Sequence, residues 1–309
     1  NDFTLGPVAH FGTMANAAAC ACVVNGQVER IHLNAELETA ANVNVLLRSA
    51  NYVNLEWDLT PSISELRING DMYLSLLAGT DVEVSGSARF TVNRDEDFVE
   101  GELEGKFSSI TLFSGLDVEG RLEWHLGAFT SVDSYQSLQG RVAVQILAPI
   151  GGMNEEGGFY LGINAPKSNA WVLQDAGSRY SLNMSPLPDR LTGFYGYCKS
   201  GASINLYIVS GGYEVYVGLG AFVDLGLHPG GTSGIPGLPF VIGNLGIHIW
   251  GDILGGLVSA GAWGNLQLIF PYPFGFEGTV GLEGCVLWVI CGSVDITVGL
   301  NSVDGFYID

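Results

Sequence analysis

Apolar and polar residues alternate one by one along much of the chain. The clearest stretch runs from 81 to 126, where each segment has apolar residues on one side and Asp, Glu, Lys, Arg or Ser on the other. An alternation of period two is typical of strands with one dry and one wet face. Helical spacing is almost missing, and Gly interrupts nearly every window. The pattern therefore predicts an all-β protein.

Gly-rich turns and short loops between these segments predict long antiparallel strands in meander order. A curved multi-strand sheet, a sandwich or a barrel would each satisfy the pattern. Register follows from matching apolar with apolar and acidic with basic positions, because a slip of one residue exchanges the two faces. Turns at 93–98, 114–115, 211–212 and 255–256 predict four cross-strand pairs: Val92 with Val99, Phe107 with Leu122, Ile208 with Val215, and Trp250 with Gly261.

Composition along the chain predicts three parts. Residues 1–148 form an acidic β-meander, 149–200 a loop-rich connecting module, and 201–309 a Gly-rich apolar β-meander. No Lys or Arg occurs after Lys199. In stretches such as 276–290 both strand faces consist largely of apolar residues or Gly. Such a strand should be shielded from water on both faces, by a second layer, lipid or another subunit.

The overall composition excludes several classes of protein. Apolar residues make up 47% of the chain, too many for intrinsic disorder. The formal net charge of −20 argues against a nucleic-acid partner. No run of 18 apolar residues predicts a transmembrane helix.

No catalytic motif is found. The serine hydrolase elbow, the phosphate-binding loop and the full dinucleotide fingerprint are all missing from the sequence. We therefore expect a protein that is not an enzyme, with no catalytic or cofactor-binding residues and no cofactor. A weak calcium candidate is the acidic loop with Asp95, Asp97 and Glu100. The alternative for this loop is a solvated hairpin tip.

Five cysteines are present, and none lies in a Cys-x-x-Cys arrangement, so zinc-ribbon, thioredoxin and c-type haem sites lose support. An odd number leaves one thiol free or pairs it between chains. Buried small apolar side chains are the alternative interpretation. The candidates for a disulfide or an inter-subunit link are Cys20, Cys22, Cys198, Cys285 and Cys291.

Residues 159–166, of sequence FYLGINAP, are followed by Tyr- and Gly-rich strands up to residue 225. This part, about a fifth of the chain, resembles segments of very large secreted β-repeat proteins of bacterial envelopes. The resemblance implies an extracellular structural role and no enzymatic activity.

We therefore expect an extracellular or cell-surface structural protein. Its partner would be itself, as the repeating subunit of a fibre, tube, sheath or surface layer, with strands added at an exposed sheet edge. One alternative is an outer-membrane β-barrel, the one case with a membrane partner. Its mark would be an outward apolar band with aromatic girdles. The other alternative is a secreted adhesion or carbohydrate-binding module.

Overall fold

The structure is a computed structural model of the 309-residue chain. It describes residues 3–10, 13–24, 27–43, 47–76, 80–95, 97–111, 115–129, 134–174, 180, 182–226, 237–287 and 289–309. The chain divides into two compact units, Asn1–Leu138 and Gln139–Asp309. The predicted division into three parts remains a prediction.

The first unit consists of long strands. They are β1 (Phe3–His10), β2 (Thr13–Val24), β3 (Gln27–Val43), β4 (Leu47–Leu59), β5 (Ile63–Leu76), β6 (Thr80–Asn93), β7 (Phe98–Thr111) and β8 (Leu116–Phe129). Strand β9 (Tyr135–Ala148) begins at the end of this unit and continues into the second.

The second unit continues with β10 (Gly151–Pro166), a 3-10 turn (Lys167–Asn169), the short helix α1 (Trp171–Gln174) and seven further strands. These are β11 (Arg190–Leu206), β12 (Val209–Val223), β13 (Pro239–Ile253), β14 (Val258–Phe270), β15 (Gly275–Val286), β16 (Ile290–Asn301) and β17 (Gly305–Ile308). Among the described residues, no helix is long and apolar enough to cross a membrane.

The predicted fold class is confirmed. Each strand from β1 to β8 pairs antiparallel with the next one. The same holds from β10 to β17, and β9 also pairs with β10. The described part of the chain is thus an all-β meander of long antiparallel strands.

Two of the four predicted registers are confirmed. Val92 pairs with Val99 across the β6–β7 hairpin. Trp250 pairs with Gly261 across the β13–β14 hairpin, whose turn contains Gly255 at φ 66°. In both hairpins the turn residues and the apolar pattern favour the same register.

The other two predicted registers are wrong. Phe107 pairs with Gly120 instead of Leu122, so β7 and β8 are shifted by two residues. A shift of two preserves both faces, and the ring of Phe107 fills the space that a Cβ on Gly120 would need. The predicted turn itself lies partly outside the described residues, since Ser114 is not among them.

The β11–β12 turn lies at Tyr207 and Ile208 rather than at 211–212. Tyr207 adopts the left-handed conformation that a tight turn requires, with φ 60°. Gly212 lies inside β12 instead, where a Cβ would overlap the ring of Trp250. The glycine therefore serves close packing between neighbouring strands and not chain reversal.

The prediction that both faces of the C-terminal strands are largely apolar or Gly does not hold for β15. In β15, Phe276, Val280 and Leu282 lie on one face, and Glu277, Thr279 and Glu283 lie on the other. The apparent apolar run near 286–290 is the place where β15 ends and β16 begins. In β13 and β14, by contrast, Phe240, Ile242 and Ile269 are buried on the face opposite Leu245, so both faces carry apolar side chains there.

Candidate functional site

One face of the second unit's sheet is apolar. This face, called here the apolar face, comprises the odd-numbered positions of β12 and β13 and the even-numbered positions of β14, β15 and β16. None of these positions is Asp, Glu, Lys, Arg or His. One row across the sheet joins Cys198, Val217, Leu245, Leu266, Gly278 and Val298.

The apolar face is the exposed one. Leu245 is 51% exposed, Val280 65% and Ile296 53%. On the opposite face, called here the polar face, Tyr216 is fully buried, and Asn244 and Gln267 are nearly so. This is the reverse of a water-soluble sheet, which buries its apolar side. Large continuous apolar surfaces of this kind mark contacts with a membrane or another protein.

The dimensions of the apolar face match a bilayer. Strand β14 has 13 residues and begins and ends on this face. At ~3.3 Å per residue it is ~43 Å long. With the ~45° tilt of membrane strands it would cross ~30 Å, the thickness of the hydrocarbon core.

Phenylalanines cluster at one end of the apolar face. The register places Phe159, Phe276 and Phe306 in a single row across the sheet. Phe194 and Phe270 occupy the next row towards the strand ends. Of these rings, Phe270 and Phe276 belong to the apolar face itself, and the others continue the two rows into β10, β11 and β17. Aromatic rings also lie near the interface in membrane β-proteins.

The polar face holds a buried ion pair. The Lys199 ammonium lies 2.9 Å from a Glu156 carboxylate oxygen, and the two side chains are 14% and 8% exposed. The Tyr197 hydroxyl donates to the same carboxylate at 2.6 Å. The two opposite charges therefore neutralise each other where little water reaches them, and the tyrosine adds a hydrogen bond. A buried ion pair requires both.

A tyrosine cluster lies beside this pair. The hydroxyls of Tyr195 and Tyr216 are 2.6 Å apart, and the ring of Tyr180 stacks on that of Tyr216 at 5.2 Å. Glycines make room for the rings, because a Cβ on Gly218 would overlap Tyr195 and a Cβ on Gly246 would overlap Tyr180. The polar face is therefore packed like a protein core.

The segment between β10 and β11 covers part of the polar face. Leu173 and Leu187 of this segment are buried. Asn183 donates its backbone N–H to Gln267 Oε1 at 2.6 Å, and Gln267 Nε2 donates back to the Asn183 carbonyl at 3.1 Å. Asn244 Nδ2 donates to the Tyr180 carbonyl at 2.7 Å. Polar side chains of the sheet thus bind the covering segment through its backbone.

A cavity of about 740 Å³ lies on the polar face beside the Cys285–Cys291 disulfide. Three carboxylates line it, those of Glu214, Asp252 and Glu283. His248 Nε2 lies 3.2 Å from Glu283, and its ring stacks on Trp250 at 4.8 Å. The excess of carboxylates gives this cavity a potential that attracts cations.

The first unit shows this inversion of exposure only in part. Leu103 and Leu122 are 43% and 44% exposed, whereas the side chain of Glu65 on the opposite face is 15% exposed. Glu65 pairs with Arg67 at 2.9 Å and with Arg89 at 2.6 Å. The two arginines are themselves 46% and 47% exposed, so the charged face of the first unit shelters the carboxylate and not the whole row.

The structure places the weak calcium candidates in the β6–β7 hairpin. Asp95 and Asp97 lie in the turn, and Glu100 lies in β7 opposite Thr91. Within the described part of the chain, no group of three or more His, Cys, Asp or Glu residues is arranged to hold a metal ion. The structure therefore does not assemble these three carboxylates into a site.

The cysteine candidates separate into two kinds. Cys285 and Cys291 are register partners in the β15–β16 hairpin and form a disulfide. Cys20, Cys22 and Cys198 are free and exposed. Cys198 lies in β11 beside Val217 of the apolar face. Cys20 and Cys22 lie on the face of the first unit that carries Arg30 and His32.

Sequence reasoning missed the Lys199–Glu156 pair and the cover over the tyrosines. Lys199 and Glu156 come together only when β11 pairs with β10. The strand periodicity gives no information about the segment that covers the tyrosines. No protein-family model matches the chain, and no curated protein matches it.

Proposed function

We propose that this chain is a membrane-embedded β-sheet protein, with its apolar faces against lipid acyl chains and its polar faces turned away from lipid. The observation that supports this most is the inverted exposure of the two faces. In water, each Å² of apolar surface that stays exposed forgoes about 25 cal/mol of the free energy that its burial would contribute. Lipid contact would remove that cost over the whole apolar face.

Three further features support the proposal. The apolar face lacks charged residues from β12 to β16, its length matches the hydrocarbon core, and phenylalanines cluster at one end. A charged side chain facing lipid would cost about 2–4 kcal/mol at the bilayer midplane. Inside the hydrocarbon core every backbone N–H and C=O must be hydrogen-bonded, so the proposal also requires that each strand edge be paired.

The second candidate is the self-assembling extracellular subunit expected from the sequence. Another copy of the chain could cover the same apolar face. Specific protein interfaces, however, carry about one hydrogen bond per 100–200 Å². From β12 to β16 the apolar face offers a single polar side-chain group, the hydroxyl of Tyr213. This composition suits lipid better than a second protein.

The test is membrane association of the full chain. We expect the protein to float with phospholipid vesicles after an alkaline carbonate wash, and to need detergent to stay dispersed. Electron microscopy of lipid-free material supplies the comparison. Dispersed particles in buffer without detergent would contradict lipid embedding, and ordered filaments would favour the self-assembling subunit.

A further inference from the structure

We propose that Cys20 and Cys22 form a two-thiolate site for a soft monovalent cation, Cu(I). The two residues are next-but-one neighbours in β2, so their side chains leave the same face of the strand. Register places Cys20 opposite His32 and Cys22 opposite Arg30. Both thiols are free and exposed, and thus open to a ligand from solution.

The backbone is irregular at this point. The β2–β3 register shifts between Cys22 and Val23. Such bulges change the direction of neighbouring side chains and increase local twist. The irregularity gives the two thiols freedom to approach a common ion that a regular ladder would restrict.

A positively charged side chain lies on the same face as the two cysteines. Register places Arg30 opposite Cys22. The arginine is itself held by Asp58 at 2.6 Å, and the same carboxylate oxygen lies 2.9 Å from His32 Nδ1. Cysteine binds metals as the thiolate, so a bound ion would place negatively charged sulfur atoms on the face that carries this arginine.

Cu(I) fits this ligand set best. Thiolates are soft ligands that select Cu(I), and a two-coordinate ion needs only two of them. Structural zinc requires four ligands, and the described residues hold no group of three or more metal-binding side chains. Binding replaces two thiol protons by one Cu⁺ and releases two H⁺. The resulting complex has one negative charge.

The chain offers a matched control for the test. The reduced full-length protein is titrated without oxygen against Cu(I) held by bathocuproine disulfonate. The wild type should remove one equivalent from the chelator and gain thiolate-to-copper absorption in the ultraviolet. C20S and C22S should lose both signals, and C198S should keep them. R30Q should weaken binding about fivefold through the lost positive charge.

A second measurement does not require C20S or C22S to fold. In C198S, bound Cu(I) should protect two cysteines from iodoacetamide, counted by mass spectrometry. The proposal is overturned if C20S/C22S retains wild-type affinity, if C198S loses binding, or if Cu(I) protects no cysteine. The site does not depend on lipid embedding, because the same titration applies whichever environment covers the apolar face.

Discussion

Lysine placed at two depths of the apolar face distinguishes lipid from water as its environment. Ile247 lies at the middle of the β13–β14 pair, and Ile253 lies at its turn end. The two side chains are almost equally exposed, at 47% and 51%. Six residues of strand separate them by ~20 Å, or ~14 Å in depth at a 45° tilt, which is half the hydrocarbon thickness.

Lipid embedding therefore predicts unequal costs for the same substitution. Ile247→Lys should destabilise the folded protein by about 2–4 kcal/mol, and Ile253→Lys by about 0–1 kcal/mol. In water both would be exposed surface substitutions with effects within about 0.5 kcal/mol. The assay is urea unfolding in phospholipid vesicles, followed by tryptophan fluorescence. Equal destabilisation by the two lysines would refute the reasoning.

Three further predictions concern packing of the second unit. Lys199→Met removes the positive charge beside the buried Glu156 carboxylate and should cost about 3 kcal/mol in urea unfolding, largely recovered by adding E156Q. A K199M protein as stable as the wild type would contradict this. Gly246→Ala drives a Cβ into the Tyr180 ring and should cost about 1–3 kcal/mol. Gly243→Ala, with no atom near its new Cβ, should cost less than about 0.5 kcal/mol. Equal losses of stability in the G246A and G243A proteins would reject the packing argument. Serine at both positions of the 285–291 disulfide should lower stability by about 2 kcal/mol, an effect that reductant should reproduce in the wild type.

The sequence predicted the fold class because strand periodicity is a local property. It also predicted register where the turn and the pairing agreed, as at Val92 and Val99. It failed at Phe107, because a shift of two residues leaves every side chain on the same face. The deciding factor there is the fit of one ring over Gly120, which is a three-dimensional property.

The candidate site was less predictable. Alternation shows that a strand has two faces, but it does not show which face the protein covers. That distinction comes from the segment packed on Tyr216 and from the pairing of Lys199 with Glu156. Both depend on contacts between residues far apart in the sequence. The same applies to the cysteines, since spacing alone did not separate the disulfide from the free thiols.

Contact between the apolar face and lipid can be measured at a native cysteine. A fluorophore on Cys198, in C20S/C22S protein reconstituted into vesicles, should be quenched by lipids brominated on their acyl chains and little by aqueous iodide. The same fluorophore on Cys22, in C20S/C198S protein, should respond in the opposite way. Equal iodide quenching at both sites, with no effect of brominated lipid at Cys198, would contradict the proposal that this face lies in a membrane.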